Sequence, residues 1–455
     1  MLCSSRAHWV LMTISALVST MPAQGPQTYP HATTDRLIHP QTPMKPPQRN
    51  VVFIDPDFGS QMVRATDGTT NFKLPGTHLD TEASSQVNEW SADTKKFYVG
   101  GQGGQVLAFA FDPTSMHISS LPNAAPEKGL LLPLEEGPTF AFTDPDLIYG
   151  TASPTSLTII SYRFSTNSST PVIDTRTCGV QPPLGTGDSV ASDPLMTLSR
   201  DDNRISITEG GREPGKNMFV IVYDKVLGCR WYNTQTGQIG GSWGDSGYAT
   251  TADRYLVVHS QLSRSGRYVR IAGGPSWYVW DLSTLEVTEC KLHVGLGCNG
   301  YKGMGYDALI NGPAVLDDMQ TFKRPLNDLS QITSLYYPLP KPSNWGQVQH
   351  FTWNNVDVND TNPVCGSTYS YDGDRTINQP YFGEIFCIET DGLASTIWRF
   401  AHNRAVYIAP YFHTQPLGDV SLDGKFFIFT SDWDNQLGIG TDGTPRTDVF
   451  IVKLD

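Results

Sequence analysis

Three histidines recur at similar places in a repeating sequence pattern. His259, His350 and His413 each lie near a short motif in which an apolar residue is followed by Ser or Asn. Imidazoles bind divalent metals and accept protons near neutral pH, and the amides of Gln349 and Gln415 can orient a hydroxyl or carboxylate without adding charge. If the repeats bring these residues together, His350 and His413 could hold a metal, and His259 and His350 could transfer protons. The alternative is that each histidine only hydrogen-bonds a neighbouring repeat.

Two further residues are candidates for ligand contacts. Arg270, in the segment SRSGRYVRI, could pair with a substrate carboxylate through two parallel hydrogen bonds, although such arginines usually cap turns or face solvent. Trp433 lies in the segment SDWDNQLGIGTDGTPRTD, a long polar connection between two predicted strands. Loops of this length often bind something, and a loop that only faces solvent is the alternative.

The elements that must position these residues are predicted from a repeat. An apolar residue and Ser, Thr or Asn precede a turn with Asp or Gly, and a β-branched and aromatic strand follows. The copies start at Trp90-Ser91, Phe142-Thr143, Leu198-Ser199, Leu262-Ser263, Val420-Ser421 and, more loosely, Trp353-Asn354. A degenerate copy near Gly305 to Leu326 would make seven units, and six remain if that segment is not a blade.

The length of the chain favours a repeat architecture. About 400 residues exceed an ordinary single core, and no amphipathic helix of normal length is found. We therefore predict an all-β fold, a single β-propeller of about seven four-stranded blades over residues 50–455. The chain begins with strands near Val51–Ile54 and Met62–Arg64 and ends on another strand, so an N-terminal strand is expected to complete the last blade.

The first 49 residues are predicted to lie outside the propeller. Residues 1–25 have Arg6 and His8 before an apolar run and small residues after it, which is typical of a secretory signal peptide. Residues 26–49 are rich in proline and lack periodicity, which predicts a flexible leader. A secreted or periplasmic monomer without a membrane span is therefore expected.

Cysteine number and spacing agree with an oxidising compartment. The chain has 7 cysteines, of which Cys3 leaves with the signal peptide. Six remain, and disulfides are favoured over a metal site because no CxxC spacing exists. Proximity suggests the pairs Cys290–Cys298 and Cys365–Cys387, which leaves Cys178 with Cys229, although six cysteines allow about 15 pairings.

Composition and missing motifs exclude several classes of function. Charged residues are only 17% of the chain, and the net charge of −13 includes no basic block that would bind nucleic acid. The sequence has no P-loop, GxSxG, HExxH or dinucleotide-binding fingerprint. Two sequons, at Asn167 and Asn359, allow N-glycosylation in a host that performs it.

One segment resembles a known family. GDVSLDGKFFIFTSD, from Gly418, is similar to the blade motif of TolB-type propellers, a WD40-like repeat, and the longer stretch from His413 resembles a blade of oligogalacturonate lyases. The resemblance implies cleavage of acidic sugars by β-elimination and a divalent metal held by histidines and a glutamine at blade starts. The matching positions are His413, Gln415, Gln349, His350 and His259, and Gln415 stands where that family has a second histidine.

Two classes of function stay open on the sequence alone. The first is an extracellular binding protein that takes a glycan, a peptide or another small ligand at the mouth of the axial channel, without chemistry. The second is a polysaccharide lyase that acts on uronate-containing oligosaccharides, in which a divalent metal ion or an arginine neutralises the uronate carboxylate. Whether the protein is an enzyme is not decided by the sequence.

Overall fold

The computed structural model describes residues 27–82, 87–135, 137–153, 156–181, 195–210, 218–273, 276–290, 303–311, 321–336, 347–353, 357–370, 373, 378–391 and 396–455. Within these ranges the regular secondary structure consists of strands and three short 3₁₀ helices at Pro126–Lys128, Thr175–Cys178 and Phe412–Thr414. None of the described helices is long and apolar enough to cross a membrane.

The strands are short and follow one another along the whole chain. In chain order they are β1 (Val52–Ile54), β2 (Gln61–Arg64), β3 (Leu79–Asp80), β4 (Lys96–Gly101), β5 (Gln105–Asp112), β6 (His117–Ser120), β7 (Thr139–Phe140), β8 (Leu147–Thr151), β9 (Thr158–Arg163), β10 (Ser168–Asp174), β11 (Thr197–Leu198), β12 (Arg204–Glu209), β13 (Phe219–Asp224), β14 (Gly228–Asn233), β15 (Gln238–Gly241), β16 (Gly247–Tyr248), β17 (Val257–Leu262), β18 (Tyr268–Gly273), β19 (Ser276–Asp281), β20 (Val287–Glu289), β21 (Gly303–Met304), β22 (Ala308–Asn311), β23 (Thr321–Pro325), β24 (Thr333–Tyr336), β25 (Gln347–Thr352), β26 (Val364–Ser370), β27 (Glu384–Ile388), β28 (Ile397–His402), β29 (Gly418–Val420), β30 (Phe426–Ser431) and β31 (Asp448–Lys453).

These strands form seven antiparallel sheets in the described part of the chain, which are the blades of a propeller. Blades 1 and 2 are β3 to β6 and β7 to β10, and blade 3 has six strands, β11 to β16. Blades 4, 5 and 6 are β17 to β20, β21 to β24 and β25 to β28. Blade 7 has the order β29-β30-β31-β2-β1. The predicted seven-bladed fold is confirmed, and the degenerate copy near Gly305 is blade 5.

The recurring serine has a clear structural role at the end of the first strand of a blade. The hydroxyl of Ser421 accepts a hydrogen bond from the Phe426 amide at 3.0 Å and donates to Asp423 at 2.6 Å. Ser199 does the same with the amide of Arg204 and the carboxylate of Asp201. A small hydroxyl residue at this position therefore closes the turn into the second strand, which is why the pattern is visible in the sequence.

Apolar side chains fill the spaces between adjacent blades. Seven buried clusters are found among the described residues, one at each blade-to-blade contact. Trp90 of blade 1 packs against Phe426 of blade 7, and Tyr232 of blade 3 packs against Trp280 of blade 4. Each blade thus buries both of its faces only because it has a neighbour on each side.

The ring is closed by β2, which pairs with β31 although the two strands lie at opposite ends of the chain. Met62, Val63 and Arg64 are in register with Val452, Ile451 and Phe450. The side chain of Arg64 also pairs with the buried carboxylate of Asp448. This arrangement confirms the expected N-terminal strand in the last blade.

Residues 27–49, which the sequence analysis treats as a flexible leader, lie against blades 6 and 7 in the structure. We call this segment the strap. Tyr29 is 2% exposed, and its hydroxyl donates to the Gly424 carbonyl at 2.9 Å. Thr33 forms an isolated bridge with Arg399 of β28. The strap has almost no hydrogen-bonded secondary structure of its own, so its order has no periodic signal in the sequence.

Disulfides join the chain within and between blades. Cys178, after blade 2, is bonded to Cys229 of β14 in blade 3, and Cys365 is bonded to Cys387 on the neighbouring strand of blade 6. These two pairings are confirmed. Cys365 and Cys387 are both buried within the sheet of blade 6. Cys290 is also disulfide-bonded, and Cys298 lies outside the described residues.

The ring closure can be tested at β2. We expect Met62→Ala to lower the free energy of unfolding by about 2–5 kcal/mol, because the Met62 side chain is fully buried in the contact between blades 6 and 7. Gln61→Ala, at the exposed neighbouring position, should change it by less than about 0.5 kcal/mol. Denaturant unfolding measures both changes. Equal effects of the two substitutions would contradict the closure of the ring by β2.

The disulfide between blades 2 and 3 gives a second test. The double variant Cys178→Ser, Cys229→Ser should lose about 2–4 kcal/mol of unfolding free energy, because the bond closes a separation of 51 residues in the unfolded chain. Denaturant unfolding under oxidising conditions measures the loss, and the wild-type protein under reducing conditions is the comparison. A wild-type protein whose Cys178 and Cys229 thiols both react with an alkylating reagent would show that the bond does not form.

Candidate functional site

A cavity of about 520 Å³ lies where the strap meets blades 6 and 7. Its described walls come from the strap, from the ends of β26 and β28 and from the loops that follow β26, β28 and β30. None of the described lining residues belongs to the first strand of a blade. The cavity is therefore not built on the first strands of the blades, to which His259 and His350 belong.

The strap is held in place by one buried arginine of β28. Arg399 donates to both carboxylate oxygens of Glu384 at 2.7 and 2.6 Å. The third nitrogen of its guanidinium donates to the Leu37 carbonyl at 2.8 Å and to the carboxylate of Asp35 at 3.1 Å. Because the Arg399 and Glu384 side chains are almost fully buried, this ion pair fixes residues 35–37 firmly to blade 6. The adjacent residues 38–43 supply the strap side of the cavity.

Two further contacts fix the strap beside the cavity. The Gln41 amide donates to both carboxylate oxygens of Asp434 at 2.9 Å. Asp57 accepts hydrogen bonds from the backbone amide of Thr42 at 2.9 Å and from its hydroxyl at 2.5 Å. The cavity therefore exists only with the strap in this position.

His402, at the end of β28, is a buried imidazole in the cavity wall. Its side chain is 3% exposed, and its Nε2 lies 3.5 Å from the carboxylate of Asp57. Neither ring nitrogen has a hydrogen bond of good geometry among the described residues, although the Gly383 backbone lies close enough to favour the protonated ring. Burial lowers the pKa of His402 to about 4, against the opposing charge of Asp57. The imidazole is thus neutral at physiological pH and can accept a proton or a hydrogen bond from a ligand.

The buried guanidinium of Arg404 lies beside Asp434, which lines the cavity. Arg404 is 1% exposed, is 3.7 Å from the Asp434 carboxylate and lies 5.2 Å from the centre of the Trp433 ring. Trp433 is itself fully buried, stacks on Phe450 and donates its indole N–H to the Met44 carbonyl of the strap. The buried ring of Trp433 therefore packs between blade 7 and the strap. It does not form an exposed surface on which a sugar ring could stack.

The rest of the lining combines apolar side chains, such as Ile38, Phe382 and Val406, with amide and hydroxyl groups. The amide and hydroxyl groups belong to Gln41, Ser370, Asn378, Gln379, Asn403, Tyr407 and Gln436. The side-chain oxygen of Gln379 is buried without a hydrogen-bond partner among the described residues. No lysine or arginine occurs in the described lining. The Asp434 carboxylate also lines the cavity, and amides, hydroxyls and carboxylates are groups that bind sugar hydroxyls.

His350 lies directly behind this wall. Its Nε2 is 2.9 Å from the hydroxyl of Tyr369, which lines the cavity. His350 is 1% exposed, and burial lowers its pKa to about 3, so the ring is neutral and its contact with Tyr369 is a hydrogen bond. Tyr369 thus links the one predicted histidine that lies in blade 6 to the cavity.

His259 and Arg270 are brought together, but in blade 4. The Arg270 guanidinium lies 3.8 Å from the centre of the Trp277 ring, and the His259 ring is 5.2 Å from the same ring. Arg270 also donates to the Gln261 amide oxygen at 2.9 Å. Burial and the charge of Arg270 lower the pKa of His259 to about 3. Burial lowers the pKa of Arg270 to about 9, which leaves the guanidinium charged at neutral pH.

His413 lies in a different group, between blades 7 and 1. Its ring stacks on His78 with 4.0 Å between ring centres, and its Nε2 lies 3.0 Å from the Pro445 carbonyl. His78 lies 3.1 Å from the carboxylate of Asp442. Burial and the neighbouring His78 lower the pKa of His413. His78 directly precedes the first strand of blade 1, and His413 lies five residues before that of blade 7, so a histidine shortly before a first strand is the signal that could have found His78.

The described contacts do not bring His259, His350 and His413 to one point. Each of the three packs against a different set of aromatic or polar residues. Gln415 is buried beside His413, and the side chain of Gln349 lies outside the described residues. No group of three or more His, Cys, Asp or Glu side chains in the described part of the chain is arranged to hold a metal ion.

Sequence reasoning missed His402, Asp57 and the strap wall. His402 lies at the end of the last strand of blade 6, where the repeat has no recurring residue that would single it out. Asp57 lies between β1 and β2, more than 300 positions away in the chain. Only the closure of the ring brings the two together.

Comparison with known proteins supports the fold. No family profile and no curated protein matches the sequence. An oligogalacturonate lyase from Vibrio parahaemolyticus aligns in three dimensions with a TM-score of 0.54 over 89% of this chain and 96% of that chain, at 11% identity. An oligogalacturonate lyase in complex with manganese aligns with a TM-score of 0.54 over 92% of this chain and 98% of that chain, at 13% identity. At these identities the similarity shows that this chain has the propeller fold of those proteins, and it does not extend to activity.

Proposed function

We propose that this protein is exported and binds a neutral, hydroxyl-rich ligand such as a short glycan in the cavity between the strap and blades 6 and 7. The observation that carries the proposal is the chemistry of the wall. Amides, hydroxyls, the imidazoles of His39 and His402 and the carboxylate of Asp434 surround a space of about 520 Å³, without a described lysine or arginine. This volume is within the range of about 300–1,000 Å³ that small-molecule sites usually have.

Export rests on two features. Residues 1–25 have the pattern of a signal peptide, and the described cysteines Cys178, Cys229, Cys290, Cys365 and Cys387 are all disulfide-bonded. Disulfides of this number are typical of proteins that fold in an oxidising compartment. An extracellular or periplasmic location brings the cavity into contact with free or cell-wall glycans.

A second candidate function is proton-transfer chemistry on the bound sugar, as in a polysaccharide lyase. The observation that favours it is the neutral His402 beside Asp57, which could accept a proton from a carbon next to a uronate carboxylate. That reaction also needs a cation or metal to neutralise the carboxylate. The described wall offers none, since Arg404 is buried beside Asp434. Binding without chemistry is therefore the better supported of the two.

The binding proposal can be tested by calorimetry with a panel of neutral and uronate oligosaccharides. We expect a neutral oligosaccharide to bind, and Gln379→Ala to weaken its binding about fivefold, because one net hydrogen bond contributes about 1 kcal/mol. Gln238→Ala, a partly buried glutamine of blade 3, is the matched control and should bind as the wild type does. Absence of binding by every neutral member would contradict the proposal.

The same panel distinguishes the second candidate function. Release of unsaturated uronate from an acidic oligosaccharide, lost in His402→Gln, would establish a lyase and displace the proposal of binding alone. Absence of that product with every acidic member would exclude the lyase for these substrates.

The state of His402 can be tested through the pH dependence of stability. Its pKa is about 4 in the folded protein and about 6.5 in an unfolded chain, so the unfolded state binds the proton more tightly. The stability that the neutral ring contributes is therefore complete above about pH 6.5 and is lost as the pH falls toward 4. Between pH 7 and pH 4 we expect the wild type to lose more unfolding free energy than His402→Gln does, and the difference should be on the order of 3 kcal/mol.

Denaturant unfolding at each pH gives this difference. The control is His31→Gln, which changes an exposed histidine of the strap and should keep the wild-type slope. A slope for His402→Gln equal to that of the wild type would show that His402 is not held in its neutral form.

A further inference from the structure

The outer strand of blade 2 has an exposed edge that needs protection. β10 has 7 residues and is the longest of the outer strands that the structure describes. Its first four residues, Ser168 to Pro171, are all exposed. β28, the outer strand of blade 6, has 6 residues and is covered by the strap through the bridge of Thr33 with Arg399. Long, exposed edge strands pair with other chains unless a side chain, a proline or a covering segment prevents it.

The turn that leads into β10 carries the sequon Asn167-Ser168-Ser169. Residues 165–171 are all exposed, so the whole sequon is open to solvent. Asn167 has a φ of 50°, a left-handed conformation that Asn tolerates better than most residues. The local structure therefore presents Asn167 at the tip of a two-stranded hairpin formed by β9 and β10.

One hydrogen bond orients the side-chain amide of Asn167. Its amide oxygen accepts from the Tyr162 hydroxyl at 2.8 Å, and Tyr162 is itself buried in the blade. Its amide nitrogen makes no hydrogen bond within the described part of the chain. This nitrogen is the atom to which an N-linked glycan is attached, so a glycan can be accommodated without breaking the contact with Tyr162.

We infer that Asn167 is an N-glycosylation site and that its glycan shields the exposed edge of β10. In the reaction the Asn167 amide nitrogen attacks the anomeric carbon of a lipid-linked oligosaccharide. An N–C bond forms, the C–O bond to the lipid pyrophosphate breaks, and the amide loses one proton, with no change of oxidation state. The glycan then occupies the space in which a second β-strand would approach Ser168 to Pro171, where Pro171 already lacks an amide donor.

The test is secretion of the full chain from a eukaryotic host, with an unrelated signal peptide so that the result does not depend on residues 1–25. We expect Ser169→Ala to lose the mass of one N-glycan, because it destroys the sequon but keeps Asn167 and its contact with Tyr162. Ser168→Ala is the matched control, since it changes the exposed middle position of the sequon, which can be any residue except proline, and so keeps the sequon. Digestion with an N-glycosidase should bring the wild type, Ser168→Ala and Ser169→Ala to the same mobility.

Light scattering of the secreted proteins tests the shielding. Ser169→Ala should aggregate faster than Ser168→Ala at equal concentration, and the wild type should gain the same tendency after enzymatic deglycosylation. Equal masses for the wild type and Ser169→Ala, or a glycan found only at Asn359, would overturn the assignment of the site. Equal aggregation of glycosylated and unglycosylated protein would overturn the shielding.

Discussion

The pairing of β2 with β31 is the constraint on which the rest of the molecule depends. Each blade can bury both faces only if it has a neighbour on each side, so an open ring would expose the apolar faces of blades 1 and 7. The contact of Met62 with blade 6 and the contact of Trp90 with Phe426 both require a complete blade 7. The buried ion pair of Arg64 with Asp448 further fixes the position of this closing strand.

Closure also determines where the cavity forms. The strap precedes β1 in the chain, so the position of β1 and β2 in blade 7 delivers it to blades 6 and 7. The ion pair of Arg399 with Glu384 then holds the strap in place. Burying these two charges is unfavourable, and the hydrogen bonds of Arg399 to Glu384 and to the strap backbone offset that cost. The cavity is therefore a consequence of the closing strand, and it lies beside the seam of the ring.

The polar groups around the cavity differ from those of an ordinary propeller core. His402 has no hydrogen bond of good geometry at either ring nitrogen among the described residues, and the same is true of the Arg404 guanidinium. Buried polar groups without partners destabilise a protein unless water or a ligand supplies the missing bonds. Such groups also occur in the contacts between blades, as at Trp280, so their presence alone does not single out the cavity. What singles out the region at the strap is that His402 and Gln379 line a cavity of about 520 Å³, where a ligand could supply the missing bonds.

The sequence by itself determined the class of fold and the closing strand, and it predicted about seven blades with six as the alternative. These depend on local signals, such as the serine that closes a turn, as Ser421 does, or on alternation along a strand. The disulfide pairs were suggested only by proximity in the chain, and the structure decided two of them. The site depended on tertiary structure. His259, His350 and His413 occupy related positions in their blades, yet their side chains pack in separate places, because position in a repeat does not determine which neighbours a side chain meets. His402 and Asp57 meet only because closure brings distant segments together, and no local pattern records such a contact.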